Sequence, residues 1–115
     1  MEAQYAHLKK EIDAGIASVI EGCHFISGPQ VEELEKALCA YTGRKYCVTV
    51  SSGTDALLMP LMAWCIHEGD AVFVPGFTFF ATAEVVSLTG ATPVFCDIDP
   101  HTFNMDPNSL SEQVE

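Results

Sequence analysis

The stretch "VTVSSGTDAL", residues 48–57, changes character midway. Val48-Thr49-Val50 suits a strand, because β-branched side chains fit a pleated surface. Ser51-Ser52-Gly53-Thr54 then breaks the run, and a helix-like pattern begins at once. The succession recurs twice. Ala71–Val74 ends on Pro75-Gly76 and is followed by a helical pattern over Thr78–Thr89. Pro93–Cys96 ends on Asp97-Ile98-Asp99-Pro100 and is followed by a helix opening at Asp106-Pro107. Short strands alternating with helices predict an α/β fold, and right-handed crossovers make the strands parallel if they share a sheet.

Two helices are expected ahead of the first strand, Tyr46–Val50. Tyr5, Leu8, Ile12, Ile16, Val19 and Ile20 step by three and four, with Gly22 at the end. Val31, Leu34, Leu38 and Tyr41 do the same between a cap at Ser27 or Gly28, Pro29 at the first helical position, and Gly43. The helix from Thr54 to about His67 contains Pro60, which should kink it or cost a hydrogen bond. The last helix has run only about two turns by residue 115, so the chain reads as the N-terminal part of something longer.

A net charge of −11 with five basic residues argues against a nucleic-acid or acidic membrane surface. No run of about 18 apolar residues exists, so no membrane span is expected. The polar first ten residues lack the apolar core of a signal peptide. The five cysteines are odd in number and form no C-x-x-C pair. They are expected to be buried small hydrophobes in a reducing cytoplasm, without a metal site or disulfide framework. Cys23-His24 is too isolated for a ligand set, and His7, His67 and His101 carry no assignable role.

In parallel α/β sheets, ligands bind beyond the carboxyl ends of the strands. At the first end, Gly53 allows close backbone approach. The N–H groups of Gly53, Thr54 and Asp55, with the hydroxyls of Ser52 and Thr54, could hold an anion at a helix start. Alternatively Ser52 simply caps the helix, which is the favoured reading of this stretch alone. At the second end, Phe77, Phe79 and Phe80 could offer a ring to a planar ligand, or pack inward, as expected for at least two of them. At the third, Asp97 and Asp99 alternate across a strand, and Asp99-Pro100 suits a turn. Walker A, G-x-G-x-x-G and G-x-S-x-G patterns are absent, which disfavours NTP hydrolysis, a conventional dinucleotide site and an esterase.

Four motifs in order carry a resemblance. Gly28-Pro29 precedes an acidic helix; then come "SGTDAL", "PGFTFFAT" and "GATPVFCDID". Together they resemble the DegT/DnrJ/EryC1/StrS family of sugar aminotransferases dependent on pyridoxal phosphate (PLP), over residues 3–114. The resemblance implies the N-terminal part of a fold type I large domain, with residues 1–115 an incomplete piece of it. It implies that Gly53 and Thr54, with Asp55 through its backbone, hold the PLP phosphate. It implies that Phe79 stacks on the pyridine ring, leaving Phe77 and Phe80 to the core. The catalytic lysine is expected downstream of residue 115; Lys9, Lys10, Lys36 and Lys45 do not match its motif, so this chain alone should be inactive. The implied substrates are a nucleotide-linked keto sugar and an amino-acid donor, commonly glutamate, handled by a cytoplasmic homodimer. A PLP-dependent sugar dehydratase, in which a histidine replaces the lysine, remains an alternative. So does a non-catalytic truncated α/β module.

Overall fold

The computed structural model describes residues 1–114 and divides into two compact units, Met1–Thr49 and Val50–Glu115. The first unit holds α1 (Glu2–Gly22) and α2 (Pro29–Thr42). Gly22 is the last helical residue of α1. The left-handed turn falls on Cys23, at φ 53°, whose N–H donates to the Ile20 carbonyl at 3.2 Å. Gly28 caps α2 without a side chain, and Pro29 follows it, where a missing N–H costs nothing. A Cβ on Gly28 would stand 2.7 Å from the His24 carbonyl, so only glycine fits this turn. Gly43, at φ 70°, ends α2 as expected.

The expected strand Tyr46–Val50 has no ladder partner among the described residues. Strand character is completed by a neighbour's hydrogen bonds, and its β-branched residues supply none of these. Tyr46 and Val48 stand exposed. Thr49 is held by a side chain instead: Glu35 Oε1 accepts from its N–H at 2.8 Å and from its hydroxyl at 2.9 Å. Those bonds, the backbone one foremost, hold the Glu35 carboxyl below its ordinary value.

The second unit runs α3 (Gly53–Ala63), β1 (Ala71–Pro75), α4 (Ala81–Leu88), β2 (Thr92–Cys96) and α5 (Pro107–Val114). β1 and β2 are parallel, in register from Ala71 opposite Thr92 to Pro75 opposite Cys96. α4 is the crossover between them and packs on α3 and on both strands. The core is Val74, Val86 and Ala91, with Leu61, Ile66, Val72 and Ala83 packed against it.

α3 continues through Pro60 but stops short of His67. Cys65 turns left-handed at φ 58°, the Ile66 N–H reaches the Leu61 carbonyl at 3.0 Å, and the Cys65 N–H reaches that of Met62 at 3.0 Å. This pair of bonds closes the helix, and the Leu61 and Ile66 side chains join the core. α4 is also shorter than expected. Residues 79–82 form a tighter turn, with the Thr82 N–H on the Phe79 carbonyl at 3.0 Å. Asp106 caps α5 as expected, accepting from the Asn108 N–H at 2.9 Å.

Among the cysteines only Cys96 is buried. Cys39 and Cys47 are half-buried, and Cys23 and Cys65 are exposed at their left-handed turns. All five are free thiols, and no metal-binding cluster occurs among the described residues.

Candidate functional site

Ser52 is extended, at φ −155° and ψ 166°, and starts α3. Its hydroxyl oxygen accepts the Asp55 N–H at 3.1 Å. That N–H serves the helix cap in this arrangement. Gly53 and Thr54, the first two helical residues, have N–H groups with no acceptor among the described residues. A Cβ on Gly53 would meet nothing within 4 Å, so the helix mouth is open at that point. Two free donors in open space at the positive end of a helix fit a terminal phosphate.

Asp55 tempers this fit. Its carboxylate accepts hydrogen bonds from the hydroxyls of Ser51 and, at 3.0 Å, Ser52. Both serine protons are thus committed to Asp55, which leaves the two N–H groups and the Thr54 hydroxyl for an anion. The Ser51 hydroxyl first and the Ser52 hydroxyl second hold the Asp55 carboxyl below its ordinary 3.8. A carboxyl lowered on folding adds stability above its unfolded pKa and loses it as pH falls through the folded one. The Asp55 carboxyl carbon should titrate in NMR with a midpoint below 3.8, and Ser51→Ala should move that midpoint up towards it.

Phe79 precedes α4 by two residues and is 79% exposed. Phe77 and Phe80 are 68% and 74% exposed, which corrects their assignment to the core. The α4 residues that are buried, Ala81, Val85 and Val86, lie on the helix proper. The three phenylalanines sit in the turn ahead of it. Phe77 meets Phe103 with ring centroids 5.9 Å apart. Thr78 and Thr82 share a hydroxyl hydrogen bond of 3.1 Å. Gly53, Thr54 and Phe79 therefore all lie at the starts of two helices that pack together, α3 and α4. Of the grooves on this unit, one of about 400 Å³ includes Phe80, Pro93 and Phe95, and one of about 470 Å³ includes Leu58, Met62 and Leu88. Neither includes Gly53, Thr54 or Phe79.

Asp99 forms the expected turn. Its carboxylate accepts the N–H groups of Thr102 at 2.7 Å and His101 at 2.8 Å, which hold its carboxyl below the usual value. Three of the four lysines are engaged locally: Lys9 with Asp13, Lys36 with Glu32 at 2.6 Å, and Lys45 over the Tyr46 ring at 5.0 Å. Glu35 is the contact that sequence reading missed. It is one acid among several on a polar helix face, and no local pattern marks it.

The sequence profile of the DegT/DnrJ/EryC1/StrS aminotransferase family matches residues 6–115. UDP-2-acetamido-2-deoxy-3-oxo-D-glucuronate aminotransferase of Pseudomonas aeruginosa is 47% identical over 99% of this chain, which covers 32% of that protein. The structure of a DegT DnrJ EryC1 StrS aminotransferase from Brucella abortus superimposes with a TM-score of 0.92 at 49% identity, over 95% of this chain and 29% of that one. That of NtdA from Bacillus subtilis, with bound cofactor PMP, gives 0.84 at 37% identity, over 90% and 24%. The chain thus spans about a third of the curated relatives it matches. Its parallel α/β architecture is that of the fold type I aminotransferases, and the chain belongs to the DegT/DnrJ/EryC1/StrS aminotransferase family.

Proposed function

We propose that residues 1–115 are the N-terminal part of the large domain of a PLP-dependent aminotransferase. The full-length enzyme aminates a nucleotide-linked keto sugar with an amino group from glutamate, as a cytoplasmic homodimer. The observation that carries this reading is the 47% identity, over 99% of the chain, to an aminotransferase named for a UDP-linked 3-oxo sugar. The free N–H groups at the mouth of α3 support it.

Within this proposal the Gly53 and Thr54 N–H groups and the Thr54 hydroxyl donate to the PLP phosphate. Asp55 and Ser52 order the turn through the cap they share. The exposed Phe79 ring lies against the pyridine. PLP supplies the electron sink for amino transfer. The catalytic lysine belongs to the full-length protein beyond residue 115, so residues 1–115 alone transfer no amino group.

The test uses the full-length protein with PLP, UDP-2-acetamido-2-deoxy-3-oxo-D-glucuronate and glutamate. Formation of 2-oxoglutarate and of the aminated sugar, read by mass spectrometry, is expected. Loss of water from a sugar without amino transfer would assign the dehydratase alternative. Protein that takes up no PLP and turns over no sugar would leave the non-catalytic reading. Phe79→Ala should weaken PLP binding about tenfold, since a stacked ring contributes roughly 0.5–1.5 kcal/mol beyond its buried area. Fluorescence titration of the apo-protein reads this. Phe79 is exposed, so melting of the apo-protein should not change.

A further inference from the structure

Phe103 stands at φ 59°, in the left-handed region. For a bulky side chain this conformation is an outlier, and it persists only where the surrounding structure holds it. Residues 97–106 supply that hold. The Asp99 carbonyl accepts the Phe103 N–H at 2.9 Å, and the Asp99 N–H donates to the Asn104 carbonyl at 2.9 Å. The Asp99 carboxylate takes the N–H groups of His101 and Thr102, and Ile98 bridges Met105 in the antiparallel sense. Held in this way, Phe103 places its ring on Phe77, with centroids 5.9 Å apart and planes inclined at 39°. Phe77 belongs to the turn between β1 and α4 that carries Phe79. The residues on either side of Phe77 are tied as well. The Gly76 N–H donates to the Cys96 carbonyl at 2.8 Å, and Thr78 and Thr82 share a hydroxyl hydrogen bond of 3.1 Å.

We propose that Phe103 is a positioning residue for Phe79. Its ring fixes Phe77 while the bonds of Gly76 and Thr78 fix the flanking residues, so the turn presents the Phe79 ring in one orientation to a planar ligand. The left-handed backbone at residue 103 is the strain that this placement requires. The inference rests on the PLP reading above, in which Phe79 lies against the pyridine. Phe103 acts through Phe77 and need not touch the cofactor.

Full-length apo-protein is titrated with PLP and read by fluorescence. Phe103→Asn removes the ring but keeps a residue type that accepts the left-handed region, so apo-protein should melt within about 3 °C of wild type. It should raise the PLP dissociation constant about threefold, the scale of one aromatic pair. Phe103→Tyr keeps the ring and should stay within about twofold of wild type. The deciding measurement is Phe103→Asn combined with Phe79→Ala. A residue that acts through Phe79 has nothing left to position there, so the double variant should match Phe79→Ala within about 1.5-fold. Unchanged affinity in Phe103→Asn, the same loss repeated on the Phe79→Ala background, or failure of Phe103→Tyr to hold affinity overturns the proposal. Should Phe103→Asn not fold by circular dichroism, Phe77→Leu decides. It removes the other ring of the pair and should show the same loss, again absent on the Phe79→Ala background; no loss, or a loss that persists there, overturns the role. Wild-type protein that binds no PLP is a separate result, as is Phe79→Ala that binds it as tightly as wild type: either removes the cofactor reading at Phe79, and this inference with it.

Discussion

Val86→Asp should abolish the folded state of the second unit. Val86 is 1% exposed and packs in a cluster with Val74 and Ala91, bordered by Leu61, Ile66, Val72 and Ala83. This cluster contains no cation or buried polar group that could pair with a carboxylate. An unpaired buried charge costs several kcal/mol even after relaxation, against a typical total stability of about 5–15 kcal/mol. Val86→Ala, which only deletes methyl groups, should cost about 1–3 kcal/mol and leave a cooperative melt. Circular dichroism and thermal denaturation of the full-length variants read both. A Val86→Asp protein that melts cooperatively near the wild-type temperature would remove Val86 from the core.

Gly53→Pro should weaken PLP binding roughly ten- to hundredfold while sparing the fold, since a hydrogen bond to a charged group is worth about 1.5–3 kcal/mol. Proline is accepted at the first helical position, where its missing N–H has no intrahelical partner and its fixed φ suits the helix. Ser52 is already in the extended region that a following proline demands. The space around a Gly53 side chain is empty, and the Gly53 N–H serves nothing else among the described residues. The substitution therefore removes one proposed phosphate donor and little more. Apo-protein should melt at or slightly above the wild-type temperature, because proline also restricts the unfolded chain. Unchanged PLP affinity would show that this donor does not face the phosphate.

What could be read from the sequence follows how local each determinant is. Pro29 and Gly43 bracket α2 through the conformations of their own residues, so those ends were legible. The end of α3 was not: the left-handed turn that closes it falls on Cys65, a residue type that rarely adopts that conformation. Tyr46–Val50 has the composition of a strand, but a strand is a relation between segments. The phenylalanines after β1 show that residue type gives a tendency to burial, while position in the turn decides exposure. At the site, "SGT" announced an open helix mouth. It could not announce that the Ser52 cap consumes the Asp55 N–H, or that Glu35 reaches Thr49 across fourteen positions of sequence.

The crossover through α4 sends β1 and β2 the same way, and the Gly76 N–H meets the Cys96 carbonyl at 2.8 Å where both strands finish. Segments 76–80 and 97–106 consequently leave from one shared rim, above Val74 and Cys96 but outside the cluster that holds the unit together. Variation along that rim can retune what is recognised while the interior stays fixed, so specificity and foldability are free to evolve on separate residues.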